Sequence, residues 1–218
     1  MTTFPNSPKL LKGGIVLIDP ETSKVERIIA LQYNPDTLTR TLQVQSVESE
    51  GGKRSDALRL SGPPVETIKV DAEIDATDQL EFPDQNRDAV DLGIHPQLAV
   101  LETIIYPTSN QLLSNNSLAQ AGTLEIIPME TLLTLFIWSK NRILPVSLTD
   151  FSVTEEAFDT KLNPIRAKVS LGMRVLSVDD LGFDHKGGNL FMSYHQNKEQ
   201  LAAKFKKGDL SDFGITKI

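Results

Sequence analysis

Residues 158–175 read FDTKLNPIRAKVSLGMRV. From Ile165 onward every second residue is apolar: Ile165, Ala167, Val169, Leu171, Met173 and Val175. Between them stand Arg166, Lys168, Ser170, Gly172 and Arg174. Side chains alternate across a strand, so this period of two predicts one long strand with an apolar face and a basic face.

The flanking segments read the same way. Just upstream, TLLTLFIW and ILPVSLTDFSVTEEAF predict a strand pair around an SKNR turn, with Trp138 packed in a core or interface. In the second of these Val146 and Leu148 share one phase, whereas Phe151 and Val153 fall in the other. A slip of one residue inside a strand predicts a β-bulge or a bend, and Pro145 suits an edge or a strand start. GGIVLID and VERIIALQY predict a hairpin whose turn is Pro20–Lys24. Asn34-Pro35 marks a corner, and TLQVQSV resumes as a strand. ETIKVDAEIDAT alternates Ile68, Val70, Ala72, Ile74 and Ala76 against Lys69, Asp71, Glu73 and Asp75, which predicts a half-buried strand.

Two polar stretches, residues 48–64 and 108–123, read as long loops. HPQLAVLETIIYP predicts a helix with Pro96 in its first turn and Pro107 after its end. After Val178 the alternation stops; DDLGFDHKGGN reads as a loop. Residues 193–206 read as a helix capped by Ser193, with Tyr194, Leu201 and Phe205 in its pattern and a basic end. The fold class expected is mainly β with one or two helices, in the form of a β-barrel or sandwich with a flanking helix. The expected boundaries are a barrel domain over 1–178 and a C-terminal extension over 179–218.

Composition narrows the function. The chain has 218 residues, 39% hydrophobic and 23% charged, with a net charge of −7. An acidic chain is a poor candidate for an electrostatic grip on nucleic acid or anionic lipid unless its few basic residues cluster. There is no cysteine, so disulfides, thiolate catalysis and Cys-ligated zinc are excluded. The N-terminal residues show no signal-peptide pattern and no apolar run is long enough to span a membrane, so a cytoplasmic product is expected. His95, His185 and His195 have no metal-ligand spacing. Asp84, Asn86 and Asp88 match the start of a calcium loop, but Ala89 replaces the required glycine and His95 the closing glutamate. No phosphate loop or nucleophile elbow is present. Neither enzyme activity nor a cofactor is expected.

Several motifs, in order, carry a family resemblance. LQYNPDTLTR, with Tyr33, Asn34 and Pro35, VETIKVDAEIDAT, with Asp75 and Thr77, HPQLAVLETIIYP, Trp138, Phe158 and Asn163-Pro164-Ile165-Arg166-Ala167 together resemble the tube-protein domain of contractile injection systems. The likeness covers roughly residues 8–178. It implies a tail-tube-type β-barrel with a flanking helix. It implies a structural subunit of a phage-tail-like particle, the tube initiator ring that joins the spike hub to the inner tube at the baseplate. The implied partners are further copies of the chain in a hexameric ring, the inner tube protein, the spike or hub protein and neighbouring baseplate or sheath-adaptor proteins. No nucleic acid and no membrane insertion is implied. Many members carry a C-terminal LysM domain; here about 40 residues follow Val178, and a loop, a helix and a tail are expected in its place.

On that reading Arg166, Lys168 and Arg174 would meet Asp71, Glu73 and Asp75 across a ring, or line its lumen. Arg166 would hold the ring or a barrel corner, the loop 48–64 would order on assembly, and residues 193–206 would dock on the barrel or on a baseplate neighbour. The alternatives are a monomeric ligand- or carbohydrate-binding β-barrel and a hydrolase with its site in the two long loops.

Overall fold

The computed structural model describes residues 10–46, 59–122, 132–205 and 208–217. Most of the expected loop 48–64 lies outside the described residues. Seven strands form one antiparallel sheet: β1 (Gly14–Ile18), β2 (Val25–Ala30), β3 (Leu38–Gln43), β4 (Val65–Asp75), β5 (Leu133–Ser139), β6 (Arg142–Phe158) and β7 (Pro164–Val175). Their order is β2-β1-β5-β6-β7-β4-β3.

The β-dominated class is as the alternation predicts. The sheet, however, is open: no ladder joins β2 to β3. It does curl back on itself. Gln32, just past β2, donates from Nε2 to the Asp75 carbonyl (2.6 Å) and accepts from the Asp75 amide (2.9 Å), so a side-chain amide spans the gap that a strand pair would close in a barrel.

β7 lies between β6 and β4, and its apolar face is the centre of the core. Ala167, Val169, Leu171, Met173 and Val175 are all buried, packed with Ile68, Val70, Ala72 and Ile74 of β4 and Phe136 of β5. Trp138 stacks on Phe136 with ring centroids 5.9 Å apart, at the margin of that core. The bulge falls where the phase slips: Leu148 pairs with Met173 and Asp150 with Gly172, leaving Thr149 over. Pro145 lies four positions into β6, buried opposite Leu135, just ahead of the first β7 pair at Val146 and Val175. Its carbonyl accepts from the amide of Leu176, the residue just past β7 (2.9 Å), so the missing N–H falls at the very end of that ladder, where proline is tolerated.

The helices exceed the one or two expected. Short turns α1 (Thr77–Leu80) and α2 (Arg87–Leu92) precede the predicted helix α3 (His95–Glu102), whose Leu98 and Leu101 are buried. The polar stretch expected as a loop contains a further helix, α4 (Ser109–Gln120). Its start is a capping box: Thr108 Oγ1 accepts from the Gln111 amide (3.3 Å) and Gln111 Oε1 accepts from the Thr108 amide (2.9 Å). The helix buries no residue, which is why no apolar stripe announced it.

At the C-terminal end, α5 (Val178–Leu181) and α6 (Lys186–Ala202) occupy much of the predicted loop. The α6 cap is His185, whose Nδ1 accepts from the Gly187 amide (3.0 Å). Ser193, the expected cap, sits mid-helix and donates to the Asn189 carbonyl (2.9 Å). Phe191 and Tyr194 are buried in the chain's own core, so α6 packs on its own sheet. Leu201 and Phe205, expected in the packed stripe, are exposed. Gly188 permits the α5–α6 approach, since a Cβ there would lie 1.9 Å from the Gly182 carbonyl oxygen.

Gly188→Ala must push α6 away from backbone that cannot yield. The expected loss is about 2 kcal/mol or more in urea unfolding. An unchanged midpoint would show that the junction is slack.

Candidate functional site

Two of the family-like motifs, Phe158 and residues 163–167, meet at one corner, where β6 ends and β7 begins. Asp159 organises the connection: its Oδ1 accepts from the amides of Lys161 (2.7 Å) and Asn163 (2.8 Å), and its Oδ2 from Asn163 Nδ2 (2.9 Å). Burial pushes the Asp159 carboxyl up, but the Asn163 and Lys161 hydrogen bonds outweigh it and hold the pKa below the ordinary carboxylate value. Asn163 also donates to the Asp91 carbonyl (3.1 Å), and the Pro164 carbonyl accepts from the Ile94 amide (2.9 Å). Gly93, at φ +59°, lets α2 and α3 come this close; a Cβ there would stand 2.2 Å from the Pro164 oxygen. The Asn163-Pro164 motif is therefore a clamp between β7 and the α2–α3 junction.

The other Asn-Pro motif has the same job elsewhere. Asn34 Oδ1 accepts from the Gly13 amide (2.9 Å) and its Nδ2 donates to the Leu11 carbonyl (2.7 Å), fixing the entry to β1.

The six charged residues expected at an interface or lumen lie largely in one sheet. Asp75 is the cross-strand neighbour of Arg166, Glu73 of Lys168, and Asp71 of Ser170. Arg166 Nε donates to Asp75 Oδ2 at 2.8 Å and lies 4.0 Å from Glu73. Lys168 turns to Glu156 of β6 (3.1 Å), and Arg174, at the far end of β7, pairs with Asp180 of α5. The basic and acidic faces thus meet within the chain through Arg166, Asp75 and Glu73. Asp75 also accepts from the Thr77 amide (2.7 Å) and hydroxyl. Burial raises its pKa, but Thr77 and Arg166 together hold it below the ordinary carboxylate value.

The connection also carries exposed apolar groups. Phe158 and Leu162 are 50% and 78% exposed, and Leu162 holds φ +66°. A left-handed backbone at a non-glycine residue costs about 1–2 kcal/mol, and here it turns a leucine into solvent.

One polar cluster was missed in the sequence. Glu66 is 3% exposed, and its carboxylate accepts from Arg40 Nε (2.7 Å) and from Lys198 Nζ (3.3 Å). Arg40 also donates to the Tyr194 hydroxyl (3.0 Å), and Lys198 stands 4.1 Å over the Tyr194 ring. β3, β4 and α6 are tied together by these four residues. The signal was present: Glu66 shares the inward parity of Ile68 and Val70.

His185 is used as a helix cap and His195 faces Glu199 at 3.5 Å. No helix among the described residues is long and apolar enough to cross a membrane.

No protein-family model matches the chain, and no curated protein matches it. Among solved structures, one similar chain comes from the tail of an empty gene transfer agent (GTA) particle with C6 symmetry. It is 15% identical over 75% of this chain and 90% of its own, with a TM-score of 0.28. A TM-score of that size does not establish a common fold.

Two outcomes are expected. Because the Asp75 pKa is depressed in the folded state, its stabilisation is present above the ordinary carboxylate value and is lost as pH falls through the folded value. Asp75→Asn should lower stability at neutral pH and flatten its decline on acidification, measured by urea unfolding from about pH 7 to about pH 2. A parallel decline in both proteins would assign the acid sensitivity elsewhere. Glu66→Ala leaves Arg40 and Lys198 without their shared anion and should cost about 3 kcal/mol. A loss near zero in the same assay would show that the cluster contributes nothing net.

Proposed function

We propose that this chain is a structural, non-enzymatic subunit of a phage-tail-like contractile injection particle. Its place is the initiator ring between spike hub and inner tube, with six copies in the ring. Its partners are neighbouring copies, the inner tube protein, the hub and adjoining baseplate or sheath-adaptor proteins. The support from sequence is the ordered set of motifs that resembles the tube-protein domain.

The structural observation that carries the reading is the β6–β7 connection. Its base is clamped by Asp159, Asn163 and Gly93, while Phe158 and Leu162 project into solvent. A rigid base under exposed apolar side chains is the arrangement of an interface anchor, because little ordering entropy remains to be lost on binding. The charged pairs around Arg166 stiffen the same corner. A ring needs a heterologous contact, in which one patch of a subunit meets a different patch of the next; the connection supplies one such patch.

Leu162→Gly separates assembly from folding. Glycine accepts positive φ without strain, so the isolated subunit should be as stable as before or more stable. Phe158→Ser removes the second anchor. Each should reduce intact particles seen by electron microscopy in cells that make them, with thermal unfolding of the purified subunit unchanged or improved. Normal particle numbers from the double variant would overturn the assignment of this connection as an interface.

A further inference from the structure

The outer edge of β2 borders an apolar groove that no other part of the described chain fills. The groove, about 390 Å³, is lined by Ile28, Ala30, Ile74 and Val100 among others, with Gln32, Glu73 and Gln97 as polar members; the Gln32 amide is already used on Asp75. Ile28 is 69% exposed.

The backbone direction along β2 follows from its pairing. The Leu31 amide donates to the Gly13 carbonyl, so alternate residues Ile29 and Arg27 also turn their backbone groups toward β1. Ile28 and Ala30 therefore present their N–H and C=O groups outward, along an edge with no strand beside it among the described residues. A second acceptor lies in the same groove: Gln97 Oε1 is buried and has no hydrogen-bond partner. Buried acceptors of this kind are normally satisfied, so the packing beneath this groove is incomplete.

We infer that the β2 edge is a docking site for an extended strand of another protein, with alternating apolar side chains and a lysine or arginine near Glu73. The extended form is required by the spacing of the outward Ile28 and Ala30 groups, which only a strand can match. Alternate side chains of such a strand enter the apolar groove. Its amides donate to the outward carbonyls of Ile28 and Ala30. The basic residue is required by charge: Glu73 is half exposed, its nearest cation is Arg166 at 4.0 Å, and the chain carries a net charge of −7. The chain's own other edge, β3, fits poorly as donor, because its one cation, Arg40, is already bound to Glu66. This inference stands independently of the role in a tail particle.

The test uses the full chain and a synthetic peptide of about eight residues, a typical strand length, alternating valine and threonine with one central lysine. Titration should give saturable binding and slowed amide exchange at Ile28 and Ala30. N-methylating alternate peptide amides should weaken binding by about tenfold, the loss expected for one or two hydrogen bonds. Replacing the peptide lysine by glutamate should weaken it further. Ile28→Pro removes an outward N–H at an edge position that tolerates proline, and should weaken binding while leaving the fold intact. Equal affinity for the methylated peptide would overturn the inference in favour of simple apolar contact. Absence of binding would overturn it outright. Protection of the same amides that grows with concentration of the protein alone would also overturn it, by making a second copy the occupant.

Discussion

The pairing of β7 with β4 on one side and β6 on the other is the constraint from which the rest follows. Its inward residues Ala167, Val169 and Met173 are fully buried, and its outward residues carry the charges. A shift of one residue would send every apolar side chain to solvent and every charge inward. The register is therefore fixed, and with it the meeting of Arg166 with Asp75 and of Ser170 with Asp71. The bulge at Thr149 lets β6 stay in phase with β7 on both sides of the slip, at Leu148 and at Phe151.

With β7 fixed, its first residue becomes an anchor point. Pro164 is buried and its carbonyl holds Ile94, so the α2–α3 junction has one position relative to the sheet. α3 then places Leu98 and Leu101 in the core beside the curled sheet. Gln32 completes the curl by holding both backbone groups of Asp75. The same aspartate meets Arg166 and Thr77, so one short segment links three parts of the chain.

The C-terminal helix is joined to this frame by two unlike means. Phe191 and Tyr194 bury apolar surface, and Arg40, Glu66 and Lys198 form a partly buried ionic cluster. Buried ion pairs add little net stability but are strongly disrupted when one member is lost. Such a cluster fixes where the helix lies more than how firmly it is held. The exposed Leu201 and Phe205 beyond it remain outside the packed part of the helix.

Much of this was legible in the chain. Period-two alternation located β4 and β7 and assigned their inward faces, the phase slip located the bulge, and Asn34-Pro35 marked a corner. These are local signals, written by backbone geometry within a few residues. α4 was hidden because a helix that buries nothing needs no apolar stripe, and α6 was placed too late because its cap is a histidine rather than a serine. The candidate site was legible only as residue types: sequence supplied acidic and basic strand faces, and the fold decided that Asp75 and Arg166 are neighbours in one sheet. The Glu66 cluster, the Gln32 bridge and the clamp at Gly93 join residues far apart in sequence. Tertiary structure alone decided them, because hydrogen bonds and ion pairs form wherever packing brings groups within about 3 Å, whatever their separation along the chain.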